Sequence, residues 1–270
     1  MRSQHLTMNW EAFELMARKP GWKYEYWGGQ AHISPRHQVV TVAISVQPRA
    51  VSSPCRLRPV APDDEPQLVA AYIAAFGDTI EYCDWEPAQL TSSARTNIRN
   101  FYIGKRGPPH PASHVAVASR AAAAEEQIVG AALIIANDGE PPLLDMLFVT
   151  PAWQRQGLAT ALVTAALNAL HSTGVPALES RYMLGNAESQ AWHQQFGFVE
   201  EPDLFLAQAY YRHSQHELWR RQTIGDLTDA QRHLLSAAVE HWQRQVETLQ
   251  AIADQQGMEA VSPLLRRRYG

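Results

Sequence analysis

The segment from Leu143 to Ala159 restricts what this chain can fold into more than any other. An apolar run from Leu143 to Val149, broken only by Asp145, reads as a buried strand. The chain then crosses Pro151, and a helical pattern begins at Gly157 and runs to about His171. That helix carries Leu158, Ala161, Leu162, Ala165, Ala166, Ala169 and Leu170 on nearly all sides, so it must lie against a sheet. Between strand and helix stands Gln154-x-x-Gly157-x-Ala159. Such a loop is a cradle for an anion, because successive N–H groups and the positive end of the helix converge there. Gly157 lets the backbone come close to a ligand, and the small Ala159 keeps the first helical turn clear.

The surrounding pattern supplies the rest of a domain over residues 55–205. Strands are expected at Arg56–Val60, His114–Ser119, Ile128–Ala136 and Ala177–Met183, with a last one opening at Gly197-Phe198-Val199. Helices are expected from Asp63-Asp64-Glu65 to about Phe76, then up to about Tyr102, and from Glu188 to Gln195. Asn137-Asp138-Gly139 is a tight-turn signal between antiparallel neighbours. An acidic, aromatic stretch (Asp78, Glu81, Tyr82, Asp84, Trp85, Glu86) separates the first two helices.

Residues 1–54 and 206–270 read as two extensions. In the first, Asn9 caps a helix from Trp10 to about Arg18, which Pro20-Gly21 ends. Trp22 to Trp27 alternates with period two, Gly28-Gly29 turns, and Gln30 to Ser34 returns as a hairpin. Val39 to Val46 is a further strand, followed by a Pro- and Ser-bearing linker. The second extension is all helical. Thr228-Asp-Ala-Gln231 is a capping box, and Leu235, Val239, Trp242, Val246, Leu249 and Ala253 form one apolar stripe. The stripe packs on the core or on a second subunit, which would make a homodimer through these helices.

Composition narrows the class. A formal charge of −4 gives no basic face for nucleic acid, and Arg266-Arg267-Arg268 reads as a solvated terminus. Cys55 and Cys83 have no paired spacing, so neither a disulfide framework nor a cysteine zinc site is expected, and the usage suits a reducing cytoplasm. The eleven histidines form no His-Glu-x-x-His pattern, so no metal is expected, and His213 with His216 reads as a solvated face. The opening residues lack the apolar core of a signal peptide, and no apolar run approaches the ~20 residues that span a bilayer.

A second motif, Asn186-x-x-Ser189-x-x-Trp192-His193-x-x-x-Gly197-Phe198, stands downstream of the first. Together with Gln154-x-x-Gly157-x-Ala159 in its strand–loop–helix setting, it resembles the GNAT family of N-acetyltransferases across residues 55–205. The resemblance implies an α/β (α+β) fold, a mixed and largely antiparallel sheet flanked by helices. It implies acetyl-CoA as cosubstrate, with backbone groups of Leu147, Phe148 and Val149 along the pantetheine arm. The backbone of Arg155, Gln156, Gly157, Leu158, Ala159 and Thr160 would contact the pyrophosphate, Gln154 as the first motif residue would belong to the same cofactor-binding set, and Asn186 would touch the CoA arm. His193 stands where many members carry a tyrosine, and would protonate the departing thiolate.

The amine acceptor must lose a proton before it attacks. Asp145 is a lone acid on the face of Leu143 and Leu147, where burial should raise its pKa. Glu81 and Asp84 are the rival bases. The expected function is direct transfer of an acetyl group to a primary amine on a small molecule or peptide, in the cytoplasm, away from nucleic acid and membrane. The alternative is a GNAT-fold sensor or scaffold that binds acyl-CoA without turnover. The Lys23–Pro35 hairpin resembles the opening segment of Uma2-type nucleases, but the later acids and Glu-x-Lys of that family have no match here. The hairpin is therefore expected to extend or cover the sheet.

Overall fold

The computed structural model describes residues 2–77, 79–119, 126–137 and 139–265. Asp78, Asp138 and the Arg266-Arg267-Arg268 tail lie outside the described residues. The chain begins with β1 (Gln4–Thr7), α1 (Trp10–Glu14), the hairpin strands β2 (Trp22–Trp27) and β3 (Gln30–Pro35), and β4 (Val39–Ser45). Then come β5 (Arg56–Pro59), α2 (Glu65–Phe76), α3 (Pro87–Tyr102), β6 (His114–Ser119), β7 (Glu126–Asn137) and β8 (Glu140–Val149). The rest is α4 (Leu158–Ser172), β9 (Ala177–Met183), α5 (Ala187–Phe196), β10 (Val199–Glu200), α6 (Leu204–Ile224) and α7 (Asp229–Gln256).

These elements fall into two compact units, one of residues 42–181 and 192–199, the other of residues 2–41, 182–191 and 200 onward. Residues 2–41 of the N-terminal extension fall in the same unit as the C-terminal helices, and residues 42–54 fall in the first unit.

A seven-stranded sheet runs in the order β10-β4-β9-β8-β7-β6-β5, and β5 to β8 lie wholly within the first unit. The pairs β5–β6, β6–β7 and β7–β8 are antiparallel, and β8–β9 is parallel. Residues alternate between the two faces of a strand, and β7 shows it plainly. Ala131, Leu133 and Ile135 join a core with Leu68 and Tyr72 of α2 and Ile98 and Phe101 of α3. Gly130, on the alternate face, meets α4: a Cβ there would stand 3.2 Å from Leu162 Cδ1 and 3.0 Å from the Phe148 carbonyl oxygen. Helices thus flank both faces, as expected for this fold class. Phe101 is fully buried, and truncating such a ring to alanine costs about 3–5 kcal/mol.

The ladder between β7 and β8 contains a break at the centre of β8. Leu133 pairs with Met146, but Ile134 pairs with Leu144, so Asp145 is an extra residue in β8. A bulge of this kind bends the strand and shifts the alternation of its side chains. As a result Leu143 packs with Met146 and Phe148 in the α2–α3 core. The period-two expectation that Leu143, Asp145 and Leu147 share one face fails at this bulge.

In the second unit β1, β3 and β2 form their own antiparallel sheet. The hairpin therefore does not extend the main sheet; β4, read from sequence as part of the same extension, is the strand placed there. Asn9 caps α1 through a 2.8 Å bond from the Ala12 N–H, but the helix ends at Glu14 rather than near Arg18. Only Phe13 of that helix is buried, too little to hold further turns. The helices α6 and α7 pack together, with Leu204 and Ala207 meeting Leu249, Ala253, Trp242 and Val246. The second half of the α7 stripe is thus occupied by α6 of the same chain. Thr228 and Gln231 form the expected capping box.

Candidate active site

At the end of β8 the backbone itself makes the site. Val149 still pairs with Gly130 of β7, and Thr150 donates to the Val129 carbonyl at 2.8 Å. On the other side the parallel pairing joins Leu143 to Glu179 and Leu144 to Ser180. Among the described residues, the ladder to β7 runs five residues further along β8 than the ladder to β9, from Leu144 to Val149. The two strands part there, opening one backbone edge of Asp145–Val149 beside the parting.

A short 3-10 turn, Pro151–Trp153, leads from this edge into the loop before α4. Arg155 (φ 62°) and Gly157 (φ 79°) both adopt the left-handed region, and Gly157 is the residue preceding the helix. Two such residues in three turn the chain sharply just ahead of the helix. The first helical bond runs from the Ala161 N–H to the Gly157 carbonyl, so the N–H groups of Leu158, Ala159 and Thr160 have no partner within the helix. No atom lies within 4 Å of where a Cβ on Gly157 would sit. The glycine is needed for its φ and not for a close contact within the protein, and the space in front of it is free for a ligand. Gln154 does something the motif did not suggest. Its Nε2 donates 3.0 Å to the Val149 carbonyl and ties the loop back to the strand end.

His193 on α5 is 3% exposed, and its Nε2 lies 2.9 Å from Ser180 Oγ, itself 2% exposed. Ser180 is the last β9 residue paired to β8, so the pair sits where the strands begin to separate. Sequence reading passed over Ser180 because nothing local marks it; only the fold brings it beside His193. The ring of His193 is flanked edge-on by Phe198 and Trp192, and the Trp192 indole N–H donates 3.3 Å to Thr160 Oγ1 at the start of α4. Asn186 accepts from the Ser189 N–H at 3.0 Å and so caps α5; it belongs to the other compact unit.

Asp145 is not the lone acid its sequence context suggested. Arg106 grips it with two nitrogens, Nη2 at 2.6 Å from Oδ2 and Nε at 3.0 Å from Oδ1, and reaches on to the Asn97 carbonyl at 3.2 Å. A carboxylate held bidentately is tied up as an ion-pair acceptor. Asn97 in turn donates from Nδ2 to the hydroxyls of Tyr72 and Tyr82, which bond to each other. Burial first, then Tyr82 and finally the charge of Glu81, push the Tyr72 phenol far above its usual range. Glu81 therefore lies within electrostatic reach of this cluster, whereas Asp84 is exposed. Tyr72 and Phe76 stand edge-on to Phe148 of β8, which links the cluster to the strand.

Residues 111–200 match the family model described as the acetyltransferase (GNAT) domain. Among solved structures, a GCN5-related N-acetyltransferase from Sphaerobacter thermophilus is 19% identical at a TM-score of 0.44, over 60% of this chain and 48% of that one. This chain thus spans about half the length of that relative. An aminoglycoside 6'-N-acetyltransferase from Acinetobacter haemolyticus is 17% identical at a TM-score of 0.37, over 55% of this chain and 93% of that one. No curated protein matches. The segment 111–200, which holds the bulged strand, the parted ladder and the glycine-led helix, is thus the part of the chain that is similar to the GNAT acetyltransferase domain.

Proposed function

We propose that this protein transfers the acetyl group of acetyl-CoA to a primary amine, with both substrates bound together and no covalent enzyme intermediate. One observation carries the reading. The open edge of β8 runs into a left-handed Arg155–Gly157 loop at the start of α4, inside the segment that matches the GNAT domain.

The residues present fit acyl-CoA. The N–H groups from Arg155 to Thr160 would face its pyrophosphate, and the freed edge at Leu147, Phe148 and Val149 would run beside the pantetheine arm. In the reaction the amine nitrogen attacks the thioester carbon, an amide bond forms, and the carbon–sulfur bond breaks. The amine proton goes to a base, and the thiolate takes a proton from an acid. His193, reaching through Ser180, is the acid in this reading. Glu81 is the better base, because Arg106 already occupies both oxygens of Asp145, which then positions the acceptor wall.

A second reading draws on the same geometry. Both His193 and Asp145 are already hydrogen-bonded within the protein, as they would be in an acyl-CoA sensor without turnover. The two separate cleanly by experiment. Purified protein is given acetyl-CoA and then a panel of polyamines, aminoglycosides and amino acids, while free thiol is followed. Amine-dependent thiol release supports the transferase. Saturable acetyl-CoA binding with no release for any amine leaves the sensor, and no binding at all removes both.

A further inference from the structure

The second compact unit holds a cavity of about 160 Å³ that the acetyl-transfer reading does not use. Arg18, Lys19, Arg36 and Arg212 line it, together with His213 and His216. Among the described residues, its lining includes no carboxylate. Four cations around one small hollow are unexpected in a chain whose formal charge is −4. Like charges gathered this way repel one another unless something offsets them.

The elements that build the hollow hold these groups in place. Gly21, with φ +82°, makes the turn into β2, and a Cβ there would stand 1.9 Å from the Leu184 carbonyl oxygen. The Tyr24 hydroxyl accepts from the Lys19 N–H at 2.9 Å, and the Arg36 N–H donates to the Gly21 carbonyl at 2.8 Å. His216 on α6 is fixed by a 3.0 Å bond from Nε2 to the Glu14 carbonyl.

Arg18 is the telling member. Its guanidinium lies over the rings of Phe13 and Tyr24, at 5.1 and 5.6 Å, and its Nε is buried with no hydrogen-bond partner. A guanidinium steadied by aromatic faces keeps its charge and its outer N–H groups for something else. Burial lowers the pKa of Arg18, and likewise of His213 and His216, and outweighs the attraction of Glu14 for Arg18 and of Glu217 for the two histidines. Of the two nearby carboxylates, Glu217 is engaged by Arg220 at 2.8 Å and Glu14 attracts Arg18, which leaves Lys19, Arg36 and Arg212 without a carboxylate in the lining.

We propose that this cavity binds a small anion bearing a tetrahedral phosphate or sulfate group, which Arg18, Arg36 and Arg212 would hold by charge-assisted hydrogen bonds. The site lies wholly within the second unit, so it is separate from the acyl-CoA cradle and does not depend on it.

The test uses the full chain and three titrants at matched ionic strength: inorganic phosphate, sulfate and chloride. Calorimetry should show saturable binding of phosphate or sulfate, with no heat beyond dilution for chloride. The tighter of the two identifies the ligand chemistry, and equal binding identifies a general tetrahedral-oxyanion site. Arg36 and Arg212 are exposed, so Arg36→Gln with Arg212→Gln should fold normally and weaken binding about tenfold or more. The His213 and His216 ring signals in a 1H–15N spectrum should move with phosphate or sulfate in the parent and much less in the double variant. Gly157→Asp should leave this binding intact. Heats matching chloride would overturn the proposal. So would binding of full strength in both the double variant and Arg18→Gln.

Discussion

The middle and the end of one strand solve different problems with different materials. At Val149 and beyond, β8 delivers a site made of main chain: an edge freed by a parted ladder, two left-handed residues and a helix start. Four residues earlier, at Asp145, the same strand delivers a site made of side chains, drawn from Arg106, Asn97, Tyr72 and Tyr82. A backbone site is rigid because the fold is rigid, and it tolerates many side chains. A side-chain site depends on each partner being present, so single substitutions break it. In the proposed reaction the first would hold the cosubstrate and the second would face the acceptor.

The contrast can be strained at four points. The largest effect belongs to Arg106→Met, which strands a carboxylate whose side chain is 10% exposed. Removing one partner of a buried pair costs about 3–5 kcal/mol, and the 31% exposure of Arg106 brings the expected loss to about 2–4. Urea unfolding measures it. A loss below about 0.5 kcal/mol would mean that the pair does not anchor the acceptor wall.

His193→Gln comes next. It should lower kcat about 100-fold and leave acetyl-CoA affinity within about twofold, since positioned proton transfer contributes on that scale. An unchanged kcat would remove His193 and Ser180 from the chemistry.

Arg58 and Asp64 serve as a purely structural counterpart. They too form a bidentate pair, at 2.7 Å for both bonds, at the start of α2. Burial acts to raise the Asp64 pKa, but Arg58 and the Ala61 N–H outweigh it and leave the carboxyl lowered. A lowered folded pKa gives stability that is fully present above the unfolded value of about 4, and lost as pH falls through the folded one. Asp64→Asn should therefore cost about 1–2 kcal/mol at neutral pH, flatten the acid limb of the stability curve, and leave kcat alone. A fall in kcat with Asp64→Asn would contradict its purely structural role. The smallest effect is that of Trp192→Phe, which gives up one exposed 3.3 Å hydrogen bond to Thr160 and should cost about 0.5–1 kcal/mol in thermal unfolding.

The same contrast explains what the sequence made legible. Glycine, proline and apolar period are local signals, so the strand–loop–helix around Gly157 was readable, as were the strands of the main sheet and the capping box at Thr228. The bulge at Asp145 was not, because it is a mismatch of register with β7 that only pairing reveals. Nor was Arg106: it stands in a Gly/Pro loop and meets Asp145 across 39 residues of chain. Ser180 and His193 meet because β9 and α5 pack, and no spacing announces it. The short β1, with exposed or half-buried residues throughout, carries no alternation to read, so the N-terminal hairpin's true partner went unseen.

If the Arg155–Gly157 loop holds the pyrophosphate of acyl-CoA, a pair of variants at Gly157 separates the effect of charge from that of backbone strain. Asparagine and aspartate both tolerate the left-handed region and differ only in charge, so Gly157→Asn and Gly157→Asp carry the same backbone strain. Calorimetric titration with acetyl-CoA should show saturable binding by the parent, a modest loss with Gly157→Asn, and a loss of about 100-fold or more with Gly157→Asp. Equal affinities for the two variants, or no binding by the parent, would contradict the account.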